Sequence, residues 1–207
     1  MSSSTNIDSS HAGLQISSEA LKQLFSDGRS FSAWLPKPVS EETLRQLYDL
    51  VKMGPTSANG CPARFVFLTT QHSKKRIEPA LMQKNVEKTL KAPVTVIVAW
   101  DTEFYEQFSK LTPGHDWKSF FAGNQPLIDA TVFRNSSLQG AYMIIAARAL
   151  GLDCGPMSGF DNAKVNAEFF PDGKWQSNFL CNIGYGDRTS LTPRNPRLEF
   201  ADACIIL

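Results

Sequence analysis

The sequence has few of the residues that build metal sites and disulfide frameworks. Its 207 residues include four cysteines and three histidines, and no two cysteines have the C-x-x-C spacing that is typical of zinc and redox sites. We therefore expect no zinc site. Isolated thiols are typical of proteins in a reducing compartment, so we expect a cytoplasmic protein. The alternative is a single disulfide among Cys61, Cys154, Cys181 and Cys204.

The sequence also lacks an excess of one charge and a long apolar run. The 21 basic and 20 acidic residues give a formal net charge of +1, and no basic stripe is present that would attract a nucleic acid. The most apolar stretch, residues 138–152, contains Arg148 and is too short to span a bilayer. Residues 1–13 have neither the basic start nor the apolar centre of a secretory signal. We expect a soluble protein with no nucleic-acid or membrane partner.

The pattern of apolar residues predicts a mixture of helices and strands. The predicted helices cover residues 18–25, 40–51, 73–91, 129–150 and 161–169, and the predicted strands cover residues 64–70, 94–100 and 178–183. Because these elements do not alternate in a regular βαβα order, the sequence predicts an α+β fold. A single domain is expected to span residues 18–207, including a C-terminal extension, after a flexible polar tail at residues 1–17.

Proline, glycine and apolar residues refine these predictions. Pro79 is expected to start, kink or divide the helix at 73–91. Residues 104–128 are predicted to form short helices and loops, and residues 154–160 a tight turn. The helix at 129–150 is apolar on several faces and is therefore expected to lie centrally, surrounded by other elements. Its densest apolar face consists of Leu138, Ala141, Tyr142, Ile145 and Ala149.

Few side chains are available for acid–base or nucleophilic chemistry. The three histidines are isolated, and the G-P-M-S-G of residues 155–159 is not the G-x-S-x-G of a serine hydrolase. No G-x-G-x-x-G fingerprint or P-loop is present either. A chain this poor in reactive side chains is typical of a protein whose bound cofactor supplies the chemistry.

Groups suited to holding a phosphorylated ring occur in four places. Arg29 and Ser30 follow a helix and could bind a phosphate through charge and hydroxyl. Residues 54–60 offer hydroxyls and amides, and residues 156–159 offer backbone N–H groups without bulky side chains. The C-terminal segment 192–197 adds further arginines. Each feature alone also has an ordinary explanation as a turn or a solvated arginine.

Taken together and in this order, these segments resemble the FMN-dependent nitroreductase family over nearly the whole chain, from about residue 21. The resemblance also rests on Asn85, seven residues before Ala92-Pro93, and on segments 149–152, 155–161 and 182–186. Within the family, the chain is most similar to the branch that contains malonic semialdehyde reductase of pyrimidine degradation. This closer resemblance is carried by segments 54–59, 99–101, 104–106, 134–137 and 196–198.

The resemblance implies an α+β fold with a central mixed or antiparallel sheet flanked by helices. It also implies an intertwined homodimer that holds two FMN molecules at the subunit interface. Arg29 and Ser30 match phosphate and ribityl contacts, Arg197 matches a C-terminal phosphate contact, and Asn85 matches an amide that hydrogen-bonds the flavin ring. Pro55, Thr56, Ser57, Asn59 and Asn135 match positions that reach the flavin from the other subunit. Pro156, Met157, Ser158 and Gly159 match the turn over the ring, where the Ser158 N–H would face flavin N5.

The chain departs from the family pattern in three places. Many members carry Arg-Arg-Ser-x-Arg where this chain has Gly28-Arg29-Ser30-Phe31-Ser32. Two basic groups are missing, so phosphate binding is expected to depend on Arg29, Arg194 and Arg197. Residues 61–63 read Cys-Pro-Ala in place of Gln-Pro-Trp, and Ser158 stands where some members have glutamate.

The resemblance implies a cytoplasmic FMN-dependent oxidoreductase that takes a hydride from NADPH or NADH and reduces a small acceptor. The expected acceptor is malonic semialdehyde, which would give 3-hydroxypropionate. A broad-specificity NAD(P)H nitroreductase or quinone reductase is the first alternative, and a flavin-binding protein without turnover is the second. No catalytic side chain is assigned, and water or the Ser57 hydroxyl would supply the proton. Residues 104–128 are expected to cover the site and set the choice of acceptor.

Overall fold

The computed structural model describes residues 13–207. Residues 1–12, most of the predicted tail at 1–17, lie outside the described residues. The helices lie at Ser18–Leu21 (α1), Glu41–Val51 (α2), Gln71–Ile77 (α3), Gln83–Lys91 (α4), Phe108–Leu111 (α5), Trp117–Phe121 (α6), Gln125–Ala149 (α7), Asn162–Phe169 (α8) and Phe200–Ala203 (α9). The strands lie at Ala63–Leu68 (β1), Val94–Asp101 (β2), Asp153–Met157 (β3) and Trp175–Gly184 (β4). No helix within residues 13–207 has the length and apolarity needed to cross a membrane.

The four strands form one antiparallel sheet in the order β1-β2-β4-β3. β2 lies at its centre and is buried along almost its whole length, as its run of β-branched residues predicts. Helices α2 and α7 pack with one face of the sheet in a cluster that includes Leu47, Val96 and Met143. A second cluster, including Ile77, Ile97 and Leu180, packs with α3 and α8. The predicted α+β fold with a sheet flanked by helices is confirmed.

Local sequence explains where several helices begin and end. The Ser40 side chain accepts a hydrogen bond from the Thr43 N–H and caps α2, whose apolar stripe at Leu44, Leu47 and Val51 is buried. Pro79 divides the predicted helix at 73–91, because a short 3₁₀ turn at Glu78–Ala80 separates α3 from α4. The predicted helix at 18–25 is one α-helical turn followed by a π-helical turn at Lys22–Ser26.

The predicted tight turn at 154–160 was wrong over its first half, where β3 forms. Gly155 and Pro156 disfavour a strand in general. β3 is an edge strand, however, and a proline is tolerated there because its missing N–H faces away from the ladder. Gly155 is required because a Cβ at this position would lie 2.4 Å from the backbone oxygen of Phe31.

The longest helix forms as predicted, but the expectation that other elements surround it was wrong within one chain. α7 begins at Gln125, where the Asn124 side chain caps it and Pro126 lies in its first turn. Within one chain the helix is not surrounded, because Leu138 and Tyr142 are 47% and 44% exposed. Its buried face is largely polar in the first half, at Thr131, Asn135, Ser136 and Gln139. Periodicity failed here because the densest apolar face lies outside, while the second half of the helix buries Met143, Ala146 and Ala147 instead.

Candidate functional site

Four arginines line one cavity of about 390 Å³ between the N-terminal and C-terminal segments. They are Arg29, Arg148, Arg194 and Arg197, and Ser30 lines the same cavity. None of the four forms an ion pair with a carboxylate of residues 13–207. Unneutralised guanidinium groups around one space are suited to a phosphate, whose oxygens match their fork of N–H donors. We call this space the arginine cavity.

The arginine cavity is held together by hydrogen bonds between distant segments. Arg29 Nη2 donates to the Thr192 carbonyl at 2.5 Å. Arg194 Nη2 donates to the Ser26 and Gly28 carbonyls at 2.7 and 2.8 Å. Each segment therefore orients the other, and the C-terminal chain cannot leave the cavity without breaking these bonds. Arg29 and Arg194 each donate these bonds through Nη2 alone, so the other N–H groups of each guanidinium stay available to an anion.

A second group of predicted residues meets at the end of β3. Asn85, in the first turn of α4, is buried, and its Nδ2 donates to the Gly159 carbonyl at 2.7 Å. Its Oδ1 accepts no hydrogen bond from other residues of the described chain, so it can accept one from a ligand. The segments around Asn85 and Gly159, 74 positions apart in the chain, are thus joined in one corner.

The outer edge of β3 presents backbone groups toward this corner. The Cys154 carbonyl accepts from the Phe31 N–H at 3.0 Å, so Cys154 turns its backbone groups away from β4. Backbone groups alternate along a strand, and a continuation of this alternation past the end of β3 at Met157 would turn the N–H of Ser158 to the same outer side. Pro156, between them, has no N–H to present. The Met157 side chain is buried in the core, and its backbone groups face β4, so Met157 offers no polar group at this outer edge.

β3 also connects this corner to the arginine cavity. Ser30 and Cys154 form a parallel bridge at one end of the strand, and Ser158 lies at the other. Four residues of extended chain cover about 13 Å. Arg29 and Ser30 at one end and Asn85, Ser158 and Gly159 at the other therefore lie along a single edge of the sheet.

Residues 54–61 form a strained polar rim before β1. Ala58, Asn59 and Cys61 have φ angles of 50°, 53° and 41°, and the left-handed region costs energy for residues with a Cβ. Cys61 N donates to Thr56 Oγ1 at 3.0 Å, and Asn59 Nδ2 donates to the Leu111 carbonyl at 3.1 Å. Pro55, Ser57 and Asn59 remain exposed, and Thr56 is half-buried. Strain of this kind is maintained only where the surroundings enforce it.

Asn135 enforces the conformation of the rim. Its Oδ1 accepts from the Ser57 N–H at 2.8 Å, and its Nδ2 donates to the Thr131 carbonyl at 2.8 Å and to Ser57 Oγ at 3.3 Å. Asn135 is only 1% exposed. Because both N–H groups of its amide and one lone pair of Oδ1 are used in this way, Asn135 positions the rim.

A single chain does not bring the rim and the arginine cavity together. The rim precedes β1, and the Asn85–Gly159 corner follows β3, so they lie at opposite edges of the four-stranded sheet. Three strand spacings of about 4.8 Å separate these edges by roughly 14 Å. The width of the sheet therefore separates residues 55–59 of one chain from Arg29 and Asn85 of the same chain.

One residue of the arginine cavity escaped the sequence prediction. Arg148 lines the cavity although it lies in α7, far in sequence from the other arginines. No sequence signal pointed to Arg148, because no local spacing relates it to the other arginines.

The two buried thiols do not supply a nucleophile. Cys154 and Cys181 are buried on neighbouring strands, and the Cys154 thiol together with burial raises the pKa of Cys181 well above its usual value. A thiol kept protonated is inert as a nucleophile. No group of histidine, cysteine, aspartate and glutamate within residues 13–207 is arranged to hold a metal ion.

The fold and site define an α+β protein with an arginine-lined cavity and a row of polar groups along one sheet edge. Residues 28–185 match the sequence model of the nitroreductase family. The chain is 57% identical over 187 residues to a Ralstonia nicotianae protein, covering 90% of this chain and 96% of that one, and 56% identical to a Rhodopseudomonas palustris protein at similar coverage. Both relatives carry the provisional name NADH dehydrogenase/NAD(P)H nitroreductase.

A solved structure shows the same fold. A nitroreductase-fold protein of Exiguobacterium sibiricum, crystallised in complex with FMN, superimposes with a TM-score of 0.82 at 17% identity, covering 93% of this chain and 99% of that one. The chain belongs to the nitroreductase family. It is an oxidoreductase of that family, and the predicted fold and enzyme class are confirmed.

Proposed function

We propose that the protein is an FMN-dependent NAD(P)H oxidoreductase that reduces a small aldehyde, with malonic semialdehyde as the acceptor and 3-hydroxypropionate as the product. The observation that carries the flavin assignment is the continuous edge from the arginine cavity to the Asn85–Gly159 corner. One end of this edge is suited to a phosphate and the other to a polar ring. FMN has these two parts joined by a short chain.

The residues present fit FMN. Arg29, Ser30, Arg194 and Arg197 would hold its phosphate, and the buried Asn85 would accept from a ring N–H. Gly159 permits a close approach at the corner, since a Cβ there would lie 2.5 Å from Asn85 Nδ2. FMN, when bound, supplies hydride transfer between NAD(P)H and the acceptor. The chain supplies binding, orientation and exclusion of water, and the Ser158 N–H would donate to the ring.

We propose that the protein acts as a homodimer, because the rim lies at the wrong edge of the sheet to serve its own chain. A partner subunit would bring Pro55, Thr56, Ser57 and Asn59 to the ring, with Asn135 holding them in place. The exposed apolar face of α7, including Leu138 and Tyr142, supports such an interface. The apolar C-terminus, where Ile205 and Ile206 are 80% and 84% exposed, supports it further. The domain boundary at residue 18 and a cytoplasmic location remain part of this proposal.

The choice of acceptor rests on the resemblance of segments 99–101, 104–106, 134–137 and 196–198 to the malonic semialdehyde reductase branch. A broad nitroreductase or quinone reductase is the alternative, because the names of the relatives carry that activity. Residues 104–128 would shape the acceptor space. In the structure they form an aromatic cluster around Phe104, Phe108 and Phe121 that packs against the rim at Gly60.

The first test is the visible absorption spectrum of the purified protein, with identification of the chromophore released on denaturation. Oxidised-flavin bands and released FMN are expected. A colourless protein that does not bind added FMN would contradict the flavin proposal. Bound FMN without NAD(P)H oxidation above the free-flavin background would instead favour a flavin-binding protein without turnover.

The acceptor is tested by steady-state kinetics with malonic semialdehyde, a nitroarene and a quinone at saturating NADH or NADPH. The aldehyde is expected to give the highest kcat/KM. A preference for the nitroarene or quinone by orders of magnitude would replace the aldehyde proposal with the broad-specificity alternative. Running each acceptor with both nucleotides also establishes which one is preferred.

A further inference from the structure

Arg148 has an unsatisfied buried donor next to the arginine cavity. Its Nη1 donates to the Leu24 carbonyl at 2.8 Å, but its Nε is buried and has no hydrogen-bond partner. Within residues 13–207 it is the only buried side-chain nitrogen or oxygen in this condition. Buried donors are nearly always paired, and leaving a charged one unpaired costs more than leaving a neutral one. Nε itself is enclosed, so an anion in the cavity would reach this guanidinium through Nη2, which donates to no acceptor within residues 13–207.

Gly28 makes room for the Arg148 guanidinium. A Cβ at residue 28 would lie 2.5 Å from Arg148 Cζ and 2.8 Å from its Nε. The guanidinium thus lies directly against the backbone that precedes Arg29 and Ser30. The side chain of Arg148 reaches this location from α7.

The charges around Arg148 leave it free for a ligand. The lining of the arginine cavity contains four arginines and no carboxylate. On its other side, Arg148 borders a second cavity of about 410 Å³ that is also lined by Glu19, Asp27, Asp153 and Arg188. Asp153 lies 3.6 Å from Arg188 and accepts from the Gly186 N–H. Neither Glu19 nor Asp27 forms an ion pair with Arg148.

We propose that Arg148 is a phosphate-binding residue of the FMN site. This inference rests on the proposed FMN function. A phosphate monoester carries a charge of about −1.5 to −2 and three acceptor oxygens, so it can use several guanidinium groups at once. Arg148 contributes a donor from the long helix, while Arg29 and Arg194 contribute from the two chain segments that cross the cavity.

The test compares FMN with riboflavin, which lacks the phosphate. Binding to the apoprotein is measured by flavin fluorescence quenching for the unaltered chain, Arg148→Met and Arg148→Lys. In Arg148→Met the Kd for FMN is expected to rise on the order of 10- to 100-fold, because a charge-assisted hydrogen bond is lost. The Kd for riboflavin is expected to stay within about twofold, and Arg148→Lys is expected to be intermediate because lysine has no planar fork.

The matched control is Arg188→Met, which removes the same charge from a neighbouring arginine that has a carboxylate partner. It is expected to leave both Kd values nearly unchanged. Equal losses of FMN and riboflavin affinity in Arg148→Met, or an unchanged FMN affinity, would overturn the proposal. If Arg148→Met does not fold, the Kd values of Arg148→Lys for FMN and riboflavin test the proposal instead, since this variant retains the charge and most of the packing.

Inorganic pyrophosphate separates this inference from the flavin proposal. Its binding to the unaltered apoprotein and to the Arg148 variants is followed by the shift in melting temperature. Arg148-dependent binding of pyrophosphate without binding of FMN would support an anion site while contradicting the FMN function. FMN binding that does not depend on Arg148 would retain the FMN function and overturn the role of Arg148.

Discussion

Introducing glutamate at Leu138 and Ala141 should produce a folded monomer that no longer retains FMN. Both residues lie on the exposed face of α7, one turn apart, and have no role in the core of their own chain. Two buried carboxylates would make the proposed interface unfavourable, since an unpaired buried charge costs several kcal/mol. Without the partner, the rim at residues 54–61 cannot reach the flavin. Light scattering measures the mass, and absorbance after gel filtration measures retained FMN.

The matched control is the pair Ala163→Glu and Ala167→Glu. These residues are exposed on α8 and add the same charge away from α7. The control is expected to remain dimeric and yellow. A Leu138→Glu/Ala141→Glu protein that stays dimeric would show that this face of α7 is not the interface. A monomer that keeps FMN with unchanged affinity would contradict the proposal that the rim acts across subunits.

Replacing Asn135 by leucine should lower kcat/KM by about 100-fold or more. The side chain holds the Ser57 N–H and hydroxyl, and a displacement of about 1 Å in a positioning element can reduce a rate on the order of 10²-fold. The free energy of unfolding should fall by about 1–3 kcal/mol, because a partly buried N–H loses its acceptor. Stopped-flow reduction of the bound flavin by NAD(P)H and denaturant unfolding measure the two effects.

Asn178→Leu provides the comparison for this variant. The Asn178 amide also hydrogen-bonds to α7, through Ser136 and Ser137, but it does not touch the rim. Its loss of stability should be similar, while its kcat/KM should change by less than about threefold if stability alone does not govern activity. Equal catalytic losses in the two variants would show that Asn135 acts through general stability and not through the rim.

Gly159→Ala should break the hydrogen bond between Asn85 Nδ2 and the carbonyl of residue 159, in the turn after β3. The new Cβ would lie 2.5 Å from Asn85 Nδ2 and 3.2 Å from Met82 Sδ, so the amide must move and lose the Gly159 carbonyl. We expect weaker binding of FMN and riboflavin alike, because the ring end of the site is disturbed and the phosphate end is not. Ser158→Ala, which retains the backbone, is the control. A loss restricted to FMN would contradict this division of the site.

Much of the fold could be predicted from local patterns. The Ser40 cap with its apolar stripe predicted α2, and the β-branched run at residues 94–100 predicted the central strand. Both signals are local, because a cap and a periodic face are formed by residues within a few positions of each other. β3 was missed for the same reason: Gly155 and Pro156 disfavour a strand locally, and only the approach of the Phe31 backbone explains them.

The site residues also fall into those that the sequence could predict and those that it could not. Arg29, Asn85 and Ser158 could be proposed from the order of short motifs, because that order is a property of the chain. The sequence by itself thus determined the family and the α+β class. The position of Arg148 could not be proposed, because its guanidinium reaches Gly28 across 120 residues and no local spacing records that contact.

Tertiary structure alone also decided which face of α7 is buried and what Asn135 does. An apolar stripe indicates that one face of a helix avoids water, but it does not indicate which other element covers that face. In this chain the polar face, with Asn135 and Gln139, packs inward because its amides find backbone partners at Ser57 and Ala63. The densest apolar face, at Leu138, Ala141 and Tyr142, is left outside. Which face is buried depends on contacts between residues far apart in the sequence. The periodicity of a single helix carries no information about those contacts.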